Sequence, residues 1–339
     1  MVQHGSPTYC RIGIIGGGAW GTALALAVLR AGREAVLWAR EPAVVEAINA
    51  THENRDYLPG VILPPELKAT ADLTVMTDVD ALLLVTPAQH LRFVCGRLAP
   101  YVAPGTPVVI CAKGIELDSY ALMSEVAASA LPAGTPIAVL SGPTFAAEVA
   151  RGLPTAVTLA ASDADVGTAL VEALGSRTFR PYLSDDVVGA QIGGAVKNVL
   201  AIACGVVEGR KLGDNARAAL ITRGLAEISR LALALGGRPE TLMGLSGLGD
   251  LTLTCSSLQS RNMSLGVALG AGRTLAEIQA GRRSVAEGVT TAAAVVGLAR
   301  RLGVDMPICA AVDATLNGGA DLDEAIEGLL SRPFREEGY

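Results

Sequence analysis

Six residues near the N-terminus, Gly16-Gly17-Gly18-Ala19-Trp20-Gly21, fit the pattern G-x-G-x-x-G. In such a turn the first glycine permits a tight bend, and the second lets backbone approach a pyrophosphate. The third allows the following helix to pack close to a sheet, with its N-terminal amides facing the phosphates. The motif is weak alone. Here a strand-like run, Arg11–Ile15, precedes it and a helical pattern, Trp20–Ala31, follows, which is the context the chemistry requires. A dinucleotide is therefore expected at this turn. The next apolar run, Ala35–Trp38, leads into Ala39-Arg40-Glu41. An acid at that point bonds a ribose 2′-hydroxyl, whereas an arginine accommodates a 2′-phosphate. Arg40 comes first and favours NADPH, with NADH tolerated. The competing reading makes Arg40 a solvated loop charge and Glu41 the ribose contact.

Hydride transfer to a ketone also needs an acid for the oxygen and an anchor for the substrate. Lys197 is the acid/base candidate, in the helical stretch Gly193-Gly194-Ala195-Val196-Lys197-Asn198-Val199-Leu200. An apolar setting favours the neutral amine and lowers its pKa toward the range useful for proton transfer. The other reading lays a surface lysine's stem over apolar neighbours. Lys113 follows the run Pro107–Cys111, and Ser141-Gly142-Pro143-Thr144-Phe145-Ala146 follows Ile137–Leu140. Ligands of open α/β sheets bind beyond the carboxyl ends of the strands, which puts both segments at the crevice. Ser-Gly-Pro is also an ordinary turn. Farther on, Gly247-Leu248-Gly249-Asp250 holds one carboxylate in a glycine-rich turn, where Asp250 serves equally as a helix cap. Ser260-Arg261-Asn262 precedes a new helical run. A guanidinium beside helix N-terminal amides makes a phosphate site, with a surface ion pair as the alternative for Arg261. Val285-Ala286-Glu287-Gly288 reads only as a turn before the helix starting near Thr290.

The elements that must position these residues fall into two groups. Up to about residue 185, buried runs alternate with helical patterns, including Ala81–Val85 and, as added strands, Ala156–Leu159 and Phe179–Leu183. From 186 to 339 helical spacing takes over: Val187–Val207, Ala216–Leu235, Leu265–Leu269, Leu275–Gln279, Thr290–Arg301 and Asp323–Leu330. The expected fold is therefore α/β, a Rossmann-type, mostly parallel sheet over residues 1–185, followed by an all-helical C-terminal domain over 186–339. Charged residues make up 18% of the chain, below the usual quarter or so, which suits a compact enzyme and argues against disorder. The net charge of −6 speaks against nucleic acid as a partner. Charge or glycine interrupts every long apolar stretch, so no membrane insertion is expected, and the N-terminus lacks the pattern of a secretory signal. The six cysteines have no short paired spacing and read as buried free thiols in a reducing, cytoplasmic setting. The three histidines are scattered, so no metal site is expected.

In order and across nearly the whole chain, these segments resemble the bacterial NAD(P)-dependent glycerol-3-phosphate dehydrogenases. Tyr57-Leu58-Pro59-Gly60 and Val285-Ala286-Glu287-Gly288-Val289 belong to the same ordered set. The resemblance implies interconversion of dihydroxyacetone phosphate and sn-glycerol 3-phosphate, feeding glycerophospholipid synthesis. It implies that Lys197 is the proton acceptor in oxidation and the donor in reduction, with Lys113 helping to orient the reacting oxygen. Lys113, Gly142, Thr144, Lys197, Asp250, Ser260, Arg261 and Asn262 would contact the substrate. Gly16, Gly18, Ala19, Trp20, Gly21, Arg40, Tyr57, Lys113, Ala146, Arg261, Val285 and Glu287 would contact the cofactor. Ala19 stands where many relatives carry serine, which implies one contact fewer. A homodimer is the implied assembly. Other two-domain dehydrogenases, of the β-hydroxyacid or 6-phosphogluconate type, also place a lysine on a helix after the nucleotide domain, so the fold does not separate them. A catalytically idle nucleotide sensor would keep the glycine turn without needing Lys113 and Lys197.

Overall fold

Short aliphatic runs form an eight-stranded sheet in the order β10-β9-β8-β7-β6-β1-β2-β5. In chain order the strands are β1 (Arg11–Ile15), β2 (Glu34–Trp38), a separate hairpin of β3 (Glu53–Asn54) and β4 (Leu58–Ile62), and β5 (Lys68–Thr70). There follow β6 (Ala81–Leu84), β7 (Val108–Ile110), β8 (Ile137–Ser141), β9 (Thr155–Ala161) and β10 (Phe179–Ser184). These coordinates are a computed structural model, which describes residues 9–280 and 286–333. Neighbouring strands of the large sheet run parallel except β8 against β9. The observed sheet thus matches the mostly parallel one expected. β1 has β2 on one side and β6 on the other. The chain reverses its direction of travel across the sheet at β1, the kind of switch point beyond whose carboxyl end such sheets bind ligands.

β5 and the β3–β4 hairpin have no counterpart in the sequence reading. Their sequences, Glu-Asn, Leu-Pro-Gly-Val-Ile and Lys-Ala-Thr, lack the continuous apolar run that marks the other strands. β5 exists because it pairs with β2, with Val36 opposite Lys68.

The chain forms two compact units. One comprises the described residues up to Ala112 together with Met123–Val187; the other comprises Lys113–Leu122 and the described residues from Val188 onward. This differs from a single cut at 185/186, because Lys113–Leu122 packs with the helices. Ile115 and Leu122 are buried in the helical unit's apolar core and joined by an isolated antiparallel bridge.

The helices of this second unit include Val187–Gly209, Asp214–Ala234, Arg261–Gly270, Leu275–Ala280, Glu287–Leu302 and Leu322–Leu330, each lengthening or shifting an expected one by a few residues. Pro239–Leu242, Asp250–Cys255 and Pro307–Leu316 are additional. Pro307–Leu316 is capped from outside its own sequence. The buried Glu227 carboxylate accepts from the amides of Ile308 at 2.7 Å and Cys309 at 3.1 Å.

Val187–Gly209 carries the expected interruptions, Gly189, Gly193, Gly194 and Lys197, and still meets the length and composition of a membrane span. It is long and apolar enough, yet 83% of its most apolar window is buried inside the fold, so it is the core helix of its unit. Five of the six free thiols are buried, and Cys10 is exposed.

The core helix crosses Arg261–Gly270 backbone to backbone. A Cβ on Gly205 would lie 2.2 Å from the Met263 carbonyl oxygen, and one on Gly266 would lie 2.0 Å from that of Ile202. One turn along, Gly209 faces Gly270 in the same way. Overpacking such a crossing costs stability, so Gly266→Ala is expected to destabilise the fold by about 1–3 kcal/mol or more in a denaturant titration. Gly328→Ala is the control. Its added Cβ meets nothing within 4 Å, and a helical glycine gains up to about 1 kcal/mol on becoming alanine.

Candidate active site

The glycine turn lies at the carboxyl end of β1, where the sheet order reverses. Gly16 has φ +135°, and a Cβ there would lie 2.6 Å from the Val85 carbonyl oxygen. A Cβ on Gly21 would lie 1.8 Å from the Gly16 carbonyl oxygen, because the helix Ala19–Arg30 packs directly on the turn. Gly18 differs. It precedes that helix at φ −73°, and its added Cβ would meet nothing within 4 Å. No neighbour within the described chain crowds position 18, which leaves the space beside it open. A pyrophosphate at the helix N-terminus fits that clearance.

The turn is pinned from the hairpin. The Asn54 amide donates to the Gly17 carbonyl at 2.9 Å and to the Thr22 hydroxyl at 2.8 Å, and that hydroxyl donates to the Gly18 carbonyl at 3.0 Å. Nothing in the local sequence marks Asn54, since the contact spans 37 positions. Two buried hydroxyls, Thr86 just beyond β6 and Ser141 at the end of β8, have no hydrogen-bond partner among the described residues. Both stand at the carboxyl edge of parallel strands, where polar ligand groups are expected. Thr86 went unnoticed in the sequence because a threonine after a strand is common.

The other cofactor candidates of this unit are placed as follows. Trp20 and Ala19 begin the helix after the turn, half-buried. Arg40 is exposed just beyond β2, and its Nη2 donates to Glu41 Oε1 at 2.7 Å. The two candidates for reading the ribose are thus paired with each other. Tyr57 is exposed in the hairpin turn, and Ala146 opens the short helix Ala146–Ala150. Gly142 takes φ +152° beyond β8, where a Cβ would lie 2.9 Å from Val157 Cα, and the Thr144 hydroxyl donates weakly to the Gly142 carbonyl at 3.4 Å.

In the helical unit three chain segments converge on one carboxylate. Asp250 is fully buried and opens the helix Asp250–Cys255. Lys197 Nζ donates to Asp250 Oδ1 at 2.5 Å and to the Thr254 hydroxyl at 2.8 Å. Lys113 Nζ donates to Asp250 Oδ2 at 2.6 Å. The alternative of Asp250 as a helix cap gives way to this role, and Gly249 precedes the helix instead. Thr254 was missed, although its i+4 spacing from Asp250 puts both on one helix face.

The approach of these segments follows from small residues. A Cβ on Gly193 would lie 2.4 Å from the Ser246 carbonyl oxygen. Gly193 and Ser246 each lie four residues, about one helical turn, before Lys197 and Asp250. Close backbone contact at the first pair brings the second within hydrogen-bond reach.

Burial decides the electrostatics of Lys197. Desolvation pushes its pKa down to about 8; Asp250 opposes that shift and the Lys113 charge adds to it. The surface reading of Lys197 is excluded, since the residue is only 6% exposed.

Ser260 caps the helix Arg261–Gly270 by accepting from the Met263 amide at 3.2 Å, and Arg261 is exposed at its first turn. Asn262 is buried. Its Nδ2 donates to Asn198 Oδ1 at 2.9 Å, and its Oδ1 accepts from the Gly288 amide at 3.0 Å. It therefore ties together the helices carrying Lys197, Arg261 and Glu287. Glu287 begins the helix Glu287–Leu302, half-buried, and Val285 lies outside the described residues.

Comparison with known proteins gives matches along nearly the whole chain. Residues 11–167 match the family model for the NAD-dependent glycerol-3-phosphate dehydrogenase N-terminus, and 186–327 match that for its C-terminus. A glycerol-3-phosphate dehydrogenase [NAD(P)+] of Rhodospirillum rubrum is 66% identical over 96% of this chain and 94% of its own. One of Parvibaculum lavamentivorans is 60% identical over 97% and 98%. The crystal structure of glycerol-3-phosphate dehydrogenase from Coxiella burnetii superposes with a TM-score of 0.92 at 42% identity, covering 96% of this chain and all of that one.

The contrast between Gly18 and Gly21 is testable. Gly18→Ala is expected to keep its unfolding free energy within about 0.5 kcal/mol while binding dinucleotide about tenfold or more weakly in a fluorescence titration. Gly21→Ala is expected to lose stability and binding together.

Proposed function

The chain belongs to the family of NAD-dependent glycerol-3-phosphate dehydrogenases, and from that premise we propose how its residues divide the work. The enzyme interconverts dihydroxyacetone phosphate and sn-glycerol 3-phosphate with NAD(P). The observation that carries the division of roles is the buried cluster of Lys197, Asp250 and Lys113. When bound, the nicotinamide supplies the reducing equivalent for the substrate's C2 carbonyl.

Lys197 holds the proton that the C2 oxygen takes up in reduction and receives it back in oxidation. Two of its N–H bonds are committed to Asp250 and Thr254, which aims the third. A lysine titrating near 8 is matched to that exchange, because both protonation states are accessible near neutrality. Lys113 presents a second ammonium that orients and polarises the same oxygen as negative charge develops. Asp250 holds both cations in place. Arg261 and the amides of its helix bind the phosphate; Ser260 and Asn262 shape that helix start, and Gly142 and Thr144 supply further polar contacts. Binding the non-reacting phosphate holds the carbonyl in reacting geometry, where much of the rate gain arises.

For the cofactor, we infer that NADPH is preferred and NADH accepted. Arg40 suits a 2′-phosphate, and its neighbour Glu41 suits a 2′-hydroxyl. The reading extends to a cytoplasmic homodimer serving glycerophospholipid synthesis. The buried free thiols favour a reducing compartment, and the dimer rests on the family resemblance alone.

The decisive assay follows nicotinamide absorbance with purified protein, dihydroxyacetone phosphate and either cofactor; no oxidation with NADPH or NADH would overturn the reading. Reduction needs protonated Lys197, so its rate is expected to fall as pH rises through about 8, while glycerol 3-phosphate oxidation rises through the same midpoint. Lys197→Ala should cut turnover by orders of magnitude while largely keeping cofactor affinity. A nearly active variant would refute the role.

Arg40→Asp is expected to raise KM for NADPH far more than KM for NADH. Equal effects on the two would sink the assignment of Arg40.

A further inference from the structure

Lys113 opens a segment, Lys113–Leu122, that packs with the helical unit. The segment closes on itself. The Glu116 amide donates to the Ala121 carbonyl and the Tyr120 amide to the Glu116 carbonyl, each at 3.0 Å. Ile115 and Leu122 sit side by side in the apolar core beneath it.

The tip of this loop is held separately. Tyr120 lies in a notch on the helix Glu287–Leu302 that exists because residue 297 is glycine. A Cβ there would lie 2.3 Å from Tyr120 Cζ and 2.5 Å from its hydroxyl oxygen. One turn along, Arg301 sets its guanidinium 5.5 Å from the centre of the Tyr120 ring and donates to the Ser119 carbonyl at 3.1 Å. Tyr120 also takes φ +58°, a left-handed conformation that a bulky non-glycine residue keeps only where its surroundings impose it.

The loop is thus clamped at both ends: at Tyr120 by a ring in a notch, at Lys113 by the Asp250 carboxylate. We propose that Tyr120, Gly297 and Arg301 form a lock whose purpose is to position Lys113 against Asp250. They are positioning residues for the reaction and act only through Lys113. The inference rests on the reading of Lys113 as a group that orients the reacting oxygen. A long side chain on an unclamped loop would sample many placements, and small misplacements of a reacting group cost large factors in rate.

The test is a double-mutant cycle on kcat for dihydroxyacetone phosphate reduction, with Lys113→Ala, Tyr120→Ala and the double variant. Tyr120→Ala is expected to lower kcat about tenfold, with KM for NADPH nearly unchanged. In the Lys113→Ala background the same change should cost less than about twofold, because the group it positions is gone. Tyr120→Phe, which keeps the ring in the notch, should restore turnover.

Gly297→Ala fills the notch in which the ring lies while favouring its own helix. It should reproduce the loss and the dependence on Lys113, and it carries the comparison if Tyr120→Ala does not fold. Full kcat in Tyr120→Ala, or an equal loss in both backgrounds, overturns the lock. Full kcat in Lys113→Ala overturns the functional reading of Lys113 and the lock with it, so the two failures are told apart.

Discussion

A single buried carboxylate, Asp250, receives two ammonium groups from distant parts of the chain, and the helical unit is organised around that charge. Neither lysine could be held there without it. An unpaired cation in a dry interior is expensive, and breaking such a cluster by removing one partner typically costs about 3–5 kcal/mol. With both lysines protonated, two positive charges face one negative charge. Desolvation lowers the Lys197 pKa to about 8; the Asp250 charge opposes that shift and the Lys113 charge adds to it.

Missing side chains decide where the charged ones meet. Gly193 lets the core helix touch the turn at Ser246, one helical turn ahead of the Lys197–Asp250 contact. Gly205 and Gly209 cross Gly266 and Gly270, which fixes the helix that begins at Arg261 against the helix that carries Lys197. Asn262 then ties these two to the start of the helix at Glu287. Backbone contact leaves no slack for side chains to repack, so the helices carrying the candidate site are held in one arrangement.

Much of this was legible in the residues. The glycine turn stood between a strand and a helix, as its chemistry demands, and the change from alternating to helical spacing near Ser184 was plain. Short elements were not legible: β5 exists through its pairing with β2, and the helix Pro307–Leu316 through a cap supplied by Glu227 from another helix. Lys113–Leu122 reads as an ordinary loop after a strand, and its allegiance to the helical unit depends on Ile115 and Leu122 reaching that core.

The sequence by itself determined the local pattern: a glycine turn between a strand and a helix, an arginine just beyond the second strand, and a lone lysine in an apolar helix. Spacing and composition carry such information because they act over one or two turns of chain. Tertiary structure decided the partnerships. Asp250 lies 53 residues from Lys197 and 137 from Lys113, and no periodicity reaches that far. Nor does the sequence distinguish Gly18, open to an incoming group, from Gly21, pressed against its own chain. Both are glycines of one motif, and only the packing around each separates the one that the fold requires from the one that it leaves open.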